Sequence, residues 1–297
     1  MIVIPGYSIL TLLYRGNRTV VYQGVRTRDS LPVVIKTLQP EYATPENSGR
    51  LKHEYEISKD LDLNGIVKTV GLESCSGVPA LILEDFGGES LKSRIPADGM
   101  DTAEFLKCAV QIAKALGELH SRQIIHKDIK PSNFIVNLST GVTKITDFGI
   151  SSRLQQEYYT AVISDYFEGS VIYMSPEQTG RMNRAVDYRT DFYSAGISFY
   201  ELLTGQLPFR AKDQLEWVHC HIARPPLHLH LINPEIPEAL AAIIMKLMAK
   251  TAEERYQSAH GLVADFERCL EQLDSGGKIT FFIPGSRDVS NRFRIAQ

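Results

Sequence analysis

The hydrophobic period of this 297-residue chain changes once, at Gly87-Gly88, and that change constrains the fold more than any other feature. Before it, β-branched and apolar residues come in short runs broken by turn residues: Thr19 to Val25, Leu31 to Leu38, Ile66 to Glu73 and Pro79 to Glu84. Such runs predict a small antiparallel sheet. Met1 to Tyr14 reads as a further strand, since it is apolar but lacks a basic leader and a small-residue cleavage site. Residues 49–61 carry Leu51, Tyr55, Ile57 and Leu61 among charges, which predicts one helix on that sheet.

After the change, helical spacing takes over. Asp101 with Glu104 makes a capping box, and Phe105, Leu106, Ala109, Ile112, Ala113, Leu116 and Leu119 continue the pattern. Tyr188 to Leu203 is apolar on nearly all sides and predicts a helix buried in a larger lobe. Pro237 opens another helix, and Ser258 caps a last one that runs to about Leu273. From Ser275 onward, Gly276-Gly277, Pro284, Gly285 and scattered charges read as a tail leaving the core.

Composition narrows the function classes. A net charge of -3 gives no global case for a nucleic-acid partner, and no apolar run is long enough for a direct membrane segment. Cys75, Cys108, Cys220 and Cys269 are far apart, so a reducing, cytoplasmic setting is the simpler reading. His219, Cys220, His221, His228 and His230 have the composition of a metal site. Pro225-Pro226 and irregular spacing assign them instead to a loop of the larger lobe.

The chemistry concentrates in His126-Lys127-Asp128-Ile129-Lys130-Pro131-Ser132-Asn133 and, further on, Asp147-Phe148-Gly149. These runs supply a proton acceptor, a cation for phosphate and two magnesium ligands, a set suited to phosphoryl transfer, which demands alignment and charge neutralisation. Their order and spacing resemble the catalytic core of the protein kinase family. The resemblance covers roughly Ile9 to Leu273 and implies an α+β, two-lobed fold: a small antiparallel sheet with one main helix, then a larger, mostly helical lobe. It implies a kinase domain over residues 1–273, with an N-lobe to about 84, a hinge at about 84–88 and a C-lobe from about 88, followed by a tail or linker at 274–297.

By that resemblance Asp128 accepts the hydroxyl proton of a protein Ser or Thr, Lys130 steadies the transferring phosphate, and Asn133 and Asp147 hold Mg2+ or Mn2+. Lys36, in Val33-Val34-Ile35-Lys36, meets the α- and β-phosphates of ATP. A buried lysine needs an anionic partner. The resemblance makes Glu54 the better candidate, since Ile57 and Leu61 then fall where the family places apolar residues, and Glu56 is the alternative, as only one of them can point inward. Leu81 to Gly87 resembles the hinge: Leu83 guards the back of the adenine pocket, backbone groups near Glu84 and Phe86 bond the base, and Val21 and Ile135 sandwich it. Gly169 to Glu177 resembles the segment that receives substrate, with Ser170 bridging Asp128 and Lys130; Glu177 pairs with Arg255, and Asp191 holds the catalytic-loop backbone. His126 packs under the activation segment and takes no part in the chemistry.

Four positions depart from the family pattern. Glycines are expected at 14, 16 and 19, but the chain has Tyr14, Gly16 and Thr19, and Val34 stands where alanine is preferred. A side chain in that loop obstructs close approach of backbone N–H groups to phosphate. Lys127 replaces an arginine and lacks its bidentate fork, which weakens the case for control through Ser151, Ser152, Thr160 or Ser164. These departures leave a docking-type pseudokinase as the competing class, and a small-molecule kinase as a third. Met174-Ser175-Pro176-Glu177-Gln178 and the tail Phe282 to Asp288 look like bacterial kinases fused to larger sensory proteins, including hybrids with histidine kinase modules, so further C-terminal sensory domains are expected.

Overall fold

The computed structural model describes residues 3–153 and 170–288. Five antiparallel strands build the smaller lobe: β1 (Tyr7–Arg15), β2 (Thr19–Arg26), β3 (Leu31–Leu38), β4 (Thr69–Cys75) and β5 (Val78–Glu84), in spatial order β1-β2-β3-β5-β4. The β4–β5 turn is Ser76-Gly77, with φ of 51° and 84°. Two left-handed residues in a two-residue loop form the turn whose twist matches the flanking strands. Because side chains alternate along a strand, Val33 and Ile35 of β3 bury against Ile4, Ala80 and Ile82 on one face. Val34 goes to the other face, with Leu51, Leu81 and Leu83.

The helix on that second face, α1, spans Pro45–Ser58, about one turn nearer the N-terminus than 49–61. The Thr44 hydroxyl accepts the Asn47 N–H at 3.2 Å, and Pro45 takes the first helical position, where a missing N–H costs nothing. Ile66 belongs to no strand of the sheet; it forms a parallel bridge with Ile145 that joins the lobes, flanked by Val67 N–H to Ile145 O at 2.9 Å and Ile145 N–H to Gly65 O at 2.8 Å. Gly65 is required there, because a Cβ would stand 2.6 Å from that of Ala115.

The larger lobe contains β6 (Glu89–Ser90), α2 (Thr102–Ser121), β7 (Ile124–Ile125), β8 (Phe134–Asn137), β9 (Val142–Ile145), β10 (Ser152–Arg153), α3 (Arg189–Thr204), α4 (Gln214–Ile222), α5 (Glu238–Leu247) and α6 (Ala259–Gly276). Every residue of α3 is buried. Edge-on contacts among Phe105, Phe199 and Phe266 at 5.5–6.1 Å tie α2, α3 and α6 together. Asp101 caps α2 by accepting the N–H groups of Ala103 and Glu104.

Three expectations need correction. His219, Cys220 and His221 sit on a helix, α4, capped by Asp213; its nine residues give too short an apolar pattern to stand out. His221 is a core residue. Its Nε2–H donates to the Val171 carbonyl at 2.8 Å, which can only accept, so Nδ1 takes the Tyr193 hydroxyl at 3.1 Å. Pro237 stands at the N-cap of α5 and not in its first turn. The segment after α6 does not leave the core as far as residue 288. Ile279 and Phe282 are buried, Arg268 lies 4.2 Å from the Phe282 ring centre, and Asp288 accepts from Ser258 Oγ at 2.7 Å. Gly and Pro mark where this segment turns, and its two apolar side chains hold it down.

The Glu177–Arg255 pair sits beneath α3. Arg255 Nη1 and Nη2 donate to the two Glu177 oxygens at 2.6 and 2.8 Å, and Nε, Nη1 and Nη2 also reach the carbonyls of Ala249, Arg189 and Lys250. All five guanidinium donors are thus placed, and the group is fully buried. Arg255→Ala strands a buried carboxylate, so chemical denaturation should show a loss of about 3–5 kcal/mol; a loss under about 1 kcal/mol contradicts this role.

Burial, helped by the nearby Lys250 charge, lowers the His221 imidazole from 6.5 to about 4. A depressed folded value means the stability from neutral His221 is complete above 6.5 and is lost as pH falls toward 4. Between those limits wild type should lose about 3 kcal/mol relative to His221→Gln, measured as the difference in unfolding free energy between the two proteins. Parallel pH profiles for both would contradict it.

Candidate active site

The cleft between the lobes, about 180 Å³, is lined by Arg18, Thr19, Lys36, Glu54, Asp128 and Asp147 among others. Lys36 enters from central strand β3, opposite Val21 of β2. Its Nζ lies 2.8 Å from Glu54 Oε2 on α1 and 2.9 Å from Asp147 Oδ1 beyond β9. Of the two candidate carboxylates, Glu54 is the one that points inward; Glu56 pairs with Lys59 on the outer face of α1. Burial would lower the Lys36 ammonium, but Asp147 and Glu54 outweigh it and hold it above its usual value. Burial likewise opposes ionisation of Asp147, yet Lys36 and Lys130 keep that carboxyl well below the usual range. Glu54 receives less compensation, and burial pushes it up to about 7.

The catalytic loop hangs from α3. Asp191, fully buried, accepts the backbone N–H of His126 at 2.9 Å and of Lys127 at 2.8 Å, and meets His120 Nε2 at 2.9 Å. Burial would raise its carboxyl; the bonds and charges of His120 and His126 hold it below the ordinary value. Lys127 has φ of 68° and Asp147 has φ of 72°, both in the left-handed region that costs a non-glycine residue free energy. The Asp191 bonds offset that cost at Lys127. His126 Nε2–H donates to the Thr146 carbonyl at 3.1 Å, Nδ1 accepts the Asp128 N–H at 3.3 Å, and the ring packs 4.9 Å from Phe148. It is a buried brace between the loop and the Asp147 segment.

Asp128 faces the cleft. Lys130 Nζ donates to its Oδ2 at 2.6 Å, and Asn133 Nδ2 donates to its carbonyl at 2.8 Å and its Oδ2 at 3.3 Å. With its nitrogen so engaged, Asn133 presents its amide oxygen as a hard donor. That oxygen and the ionised Asp147 carboxylate fit a divalent cation of the Mg2+ type, which takes one or two protein oxygens and completes its shell with phosphate and water.

On the nucleotide side, Val34, Leu83, Phe86 and Ile135 pack in one apolar cluster, with Val34 directly across from Leu83. The hinge is tied to both lobes: Gln23 Nε2 donates to Asp85 at 2.8 Å, Lys144 pairs with Glu84, and Asn137 Nδ2 donates to the Phe86 carbonyl. A Cβ at Gly16 would lie 2.9 Å from Cε1 of Tyr14, an exposed ring with room to swing aside.

Ser151 is buried and its hydroxyl donates to the His126 carbonyl at 3.0 Å, so it is not an accessible phosphate acceptor. Ser152 is paired with Ile125 in β10. Thr160, Ser164 and the side chain of Ser170 lie outside the described residues. Gln178 carries a bond that no spacing rule pointed to: its Nε2 donates to the Lys127 carbonyl at 2.9 Å while its Oε1 accepts the Ser175 N–H at 3.0 Å, joining the substrate segment to the catalytic loop.

Comparison with known proteins agrees with this geometry. The protein kinase domain model matches residues 7–266. The chain is 32% identical over 264 residues to a probable serine/threonine-protein kinase of Clostridium perfringens, covering 88% of this chain and 38% of that protein. It is also 32% identical over 267 residues to the serine/threonine-protein kinase PrkC of Bacillus subtilis, covering 89% and 40% respectively. A hybrid signal transduction histidine kinase of Dictyostelium discoideum is 30% identical, over 65% of this chain but 8% of that protein. The chain therefore spans about two fifths of the length of the first two relatives. With two lobes, a cleft built on Lys36, Glu54, Asp128 and Asp147, and a protein kinase domain match over residues 7–266, this chain belongs to the protein kinase family.

Proposed function

We propose that this domain transfers the γ-phosphoryl group of ATP, bound with Mg2+ or Mn2+, to Ser or Thr hydroxyls of a protein substrate in a signalling pathway. The observation that carries the reading is the Lys36 ammonium held between Glu54 and Asp147, across the same cleft as Asp128. Val21, Val34, Leu83 and Ile135 enclose the adenine, and the backbone near Glu84 and Phe86 bonds its edge. Gly16 lies at the loop over the phosphates. Lys36 orients the α- and β-phosphates. Asn133 and Asp147 hold the cation, which when bound neutralises charge on the phosphates.

Asp128 takes the proton from the substrate hydroxyl as its oxygen forms a bond to the γ-phosphorus. The bond to the β–γ bridging oxygen breaks, and ADP leaves with that electron pair. Lys130, bonded to Asp128 at 2.6 Å, is placed to steady the transferring group. Ser170 bridges the two when substrate is present. Glu177, Arg255 and Asp191 act structurally by holding the loops. Four dispersed free cysteines fit the cytoplasm, where ATP is plentiful. Among the described residues no helix is long and apolar enough to cross a membrane. Sensory domains elsewhere in a longer polypeptide would supply the input signal.

Labelled ATP with a generic protein acceptor tests this reading. Asp128→Asn should lower the phosphoryl-transfer rate by about 10²–10⁴-fold with ATP affinity retained, and Lys36→Met should lower it by about 10²-fold or more with the fold intact. Equal labelling by wild type and Asp128→Asn would remove Asp128 from its role. Nucleotide-dependent thermal shifts without any transfer would favour a docking module. Since Glu54 is raised to about 7, protonation below that pH discharges the partner of Lys36. The kcat/KM for ATP should therefore fall on the acid side of about 7, and Glu54→Gln should be slow and flat across that range; an unchanged acid limb in Glu54→Gln would assign it elsewhere.

A further inference from the structure

The turn between β1 and β2 has three residues, Gly16, Asn17 and Arg18, closed by Gly16 N–H donating to the Thr19 carbonyl at 2.9 Å. One residue just past β3 takes all three of its carbonyls. Gln39 Nε2 donates to the Gly16 oxygen at 2.6 Å and the Asn17 oxygen at 2.9 Å, and its backbone N–H donates to the Arg18 oxygen at 2.9 Å. Arg15 Nη1 donates to Gln39 Oε1 at 3.2 Å, which fixes the sense of the amide. Gln39 is itself buried. A side-chain amide offers two donors and an acceptor at once, and here all three are used.

Such a clamp sets where the turn's side chains go. Arg18 stands at the tip of a hairpin, where a long cation would ordinarily be solvated, yet it is half-buried and lines the cleft together with Lys36, Asp128 and Asp147. A loop rich in glycine binds phosphate through backbone N–H groups. This loop has Tyr14 and Thr19 in place of two glycines, and the Gly16 N–H is already engaged with the Thr19 carbonyl, so fewer backbone donors are open to phosphate. A guanidinium reaches phosphate oxygens from farther away and can bind two at once.

We propose that Arg18 is a phosphate-binding residue of the nucleotide site, engaging the terminal phosphates of a nucleoside triphosphate, and that Gln39 positions it by bracing the turn. This rests on the reading of the cleft as an ATP site. Charge from Arg18 replaces backbone donors that the altered loop cannot bring close.

Calorimetric titration of wild type and variants with adenosine, ADP and Mg-ATP tests it. Arg18→Met should weaken Mg-ATP by about tenfold, weaken ADP less and leave adenosine unchanged, with Arg18→Lys recovering most of the loss. Gln39→Leu should reproduce that pattern, and the double variant should be no weaker than Arg18→Met alone, because a positioning residue has nothing left to position. Adenosine binding serves as the control for folding, and Arg18→Met, on an external turn, keeps the test informative if Gln39→Leu is unstable. Wild-type affinity for Mg-ATP in Arg18→Met, or equal losses for adenosine and ATP, would overturn the proposal while leaving the kinase reading standing. Absence of any nucleotide binding by wild type would overturn both.

Discussion

The Lys36 ammonium is the interaction on which the rest of the site depends. It sits between two carboxylates that come from separate parts of the chain, Glu54 on α1 and Asp147 after β9, at 2.8 and 2.9 Å. Burying any one of these charges alone would be costly, so each element is held where the other two are. One cation against two carboxylates also leaves a surplus negative charge in a poorly solvated cleft. Burial, with a smaller contribution from the Asp147 charge, raises Glu54 to about 7, and a divalent cation on Asp147 would relieve the second of these.

A second constraint keeps the lower half of the cleft in shape. Lys127 and Asp147 both adopt left-handed backbone, one just before Asp128 and one at the carboxylate that pairs with Lys36. Asp191, at the start of buried α3, fixes the first through two backbone N–H bonds, and His126 bonds the carbonyl of Thr146, next to the second. The strain at Lys127 is thus carried by a helix with no exposed residue. Gln178 and the Glu177–Arg255 pair extend the same support to residues 175–178.

Much of this was legible because the chemistry lies in short runs. Asp128, Lys130 and Asn133 fall within six residues, and a loop that compact brings them together whatever surrounds it. Helix geometry lets only one of Glu54 and Glu56 point inward, and the family resemblance, through Ile57 and Leu61, favours Glu54; α1 starts earlier than its apolar spacing implies, at Pro45 behind the Thr44 cap. Contacts made by side-chain amides were not legible. Gln39 meets carbonyls more than 20 residues away and Gln178 meets one 51 residues away, and neither leaves a periodic trace. The segment after α6 misled for a related reason: its glycines and proline announce turns, while its attachment depends on Ile279, Phe282 and Asp288 finding partners on α6 and its cap.

A double-mutant cycle on Lys36→Met and Glu54→Gln, read as the single-turnover rate of phosphoryl transfer from Mg-ATP, tests the central claim most directly. If the Lys36 charge acts through its place between the carboxylates, the double variant should be no slower than Lys36→Met alone, a coupling of about 1–3 kcal/mol. Losses that multiply, leaving the double variant slower than either by the product of the two, would show that Glu54 and Lys36 act independently and that the shared ammonium does not organise the site.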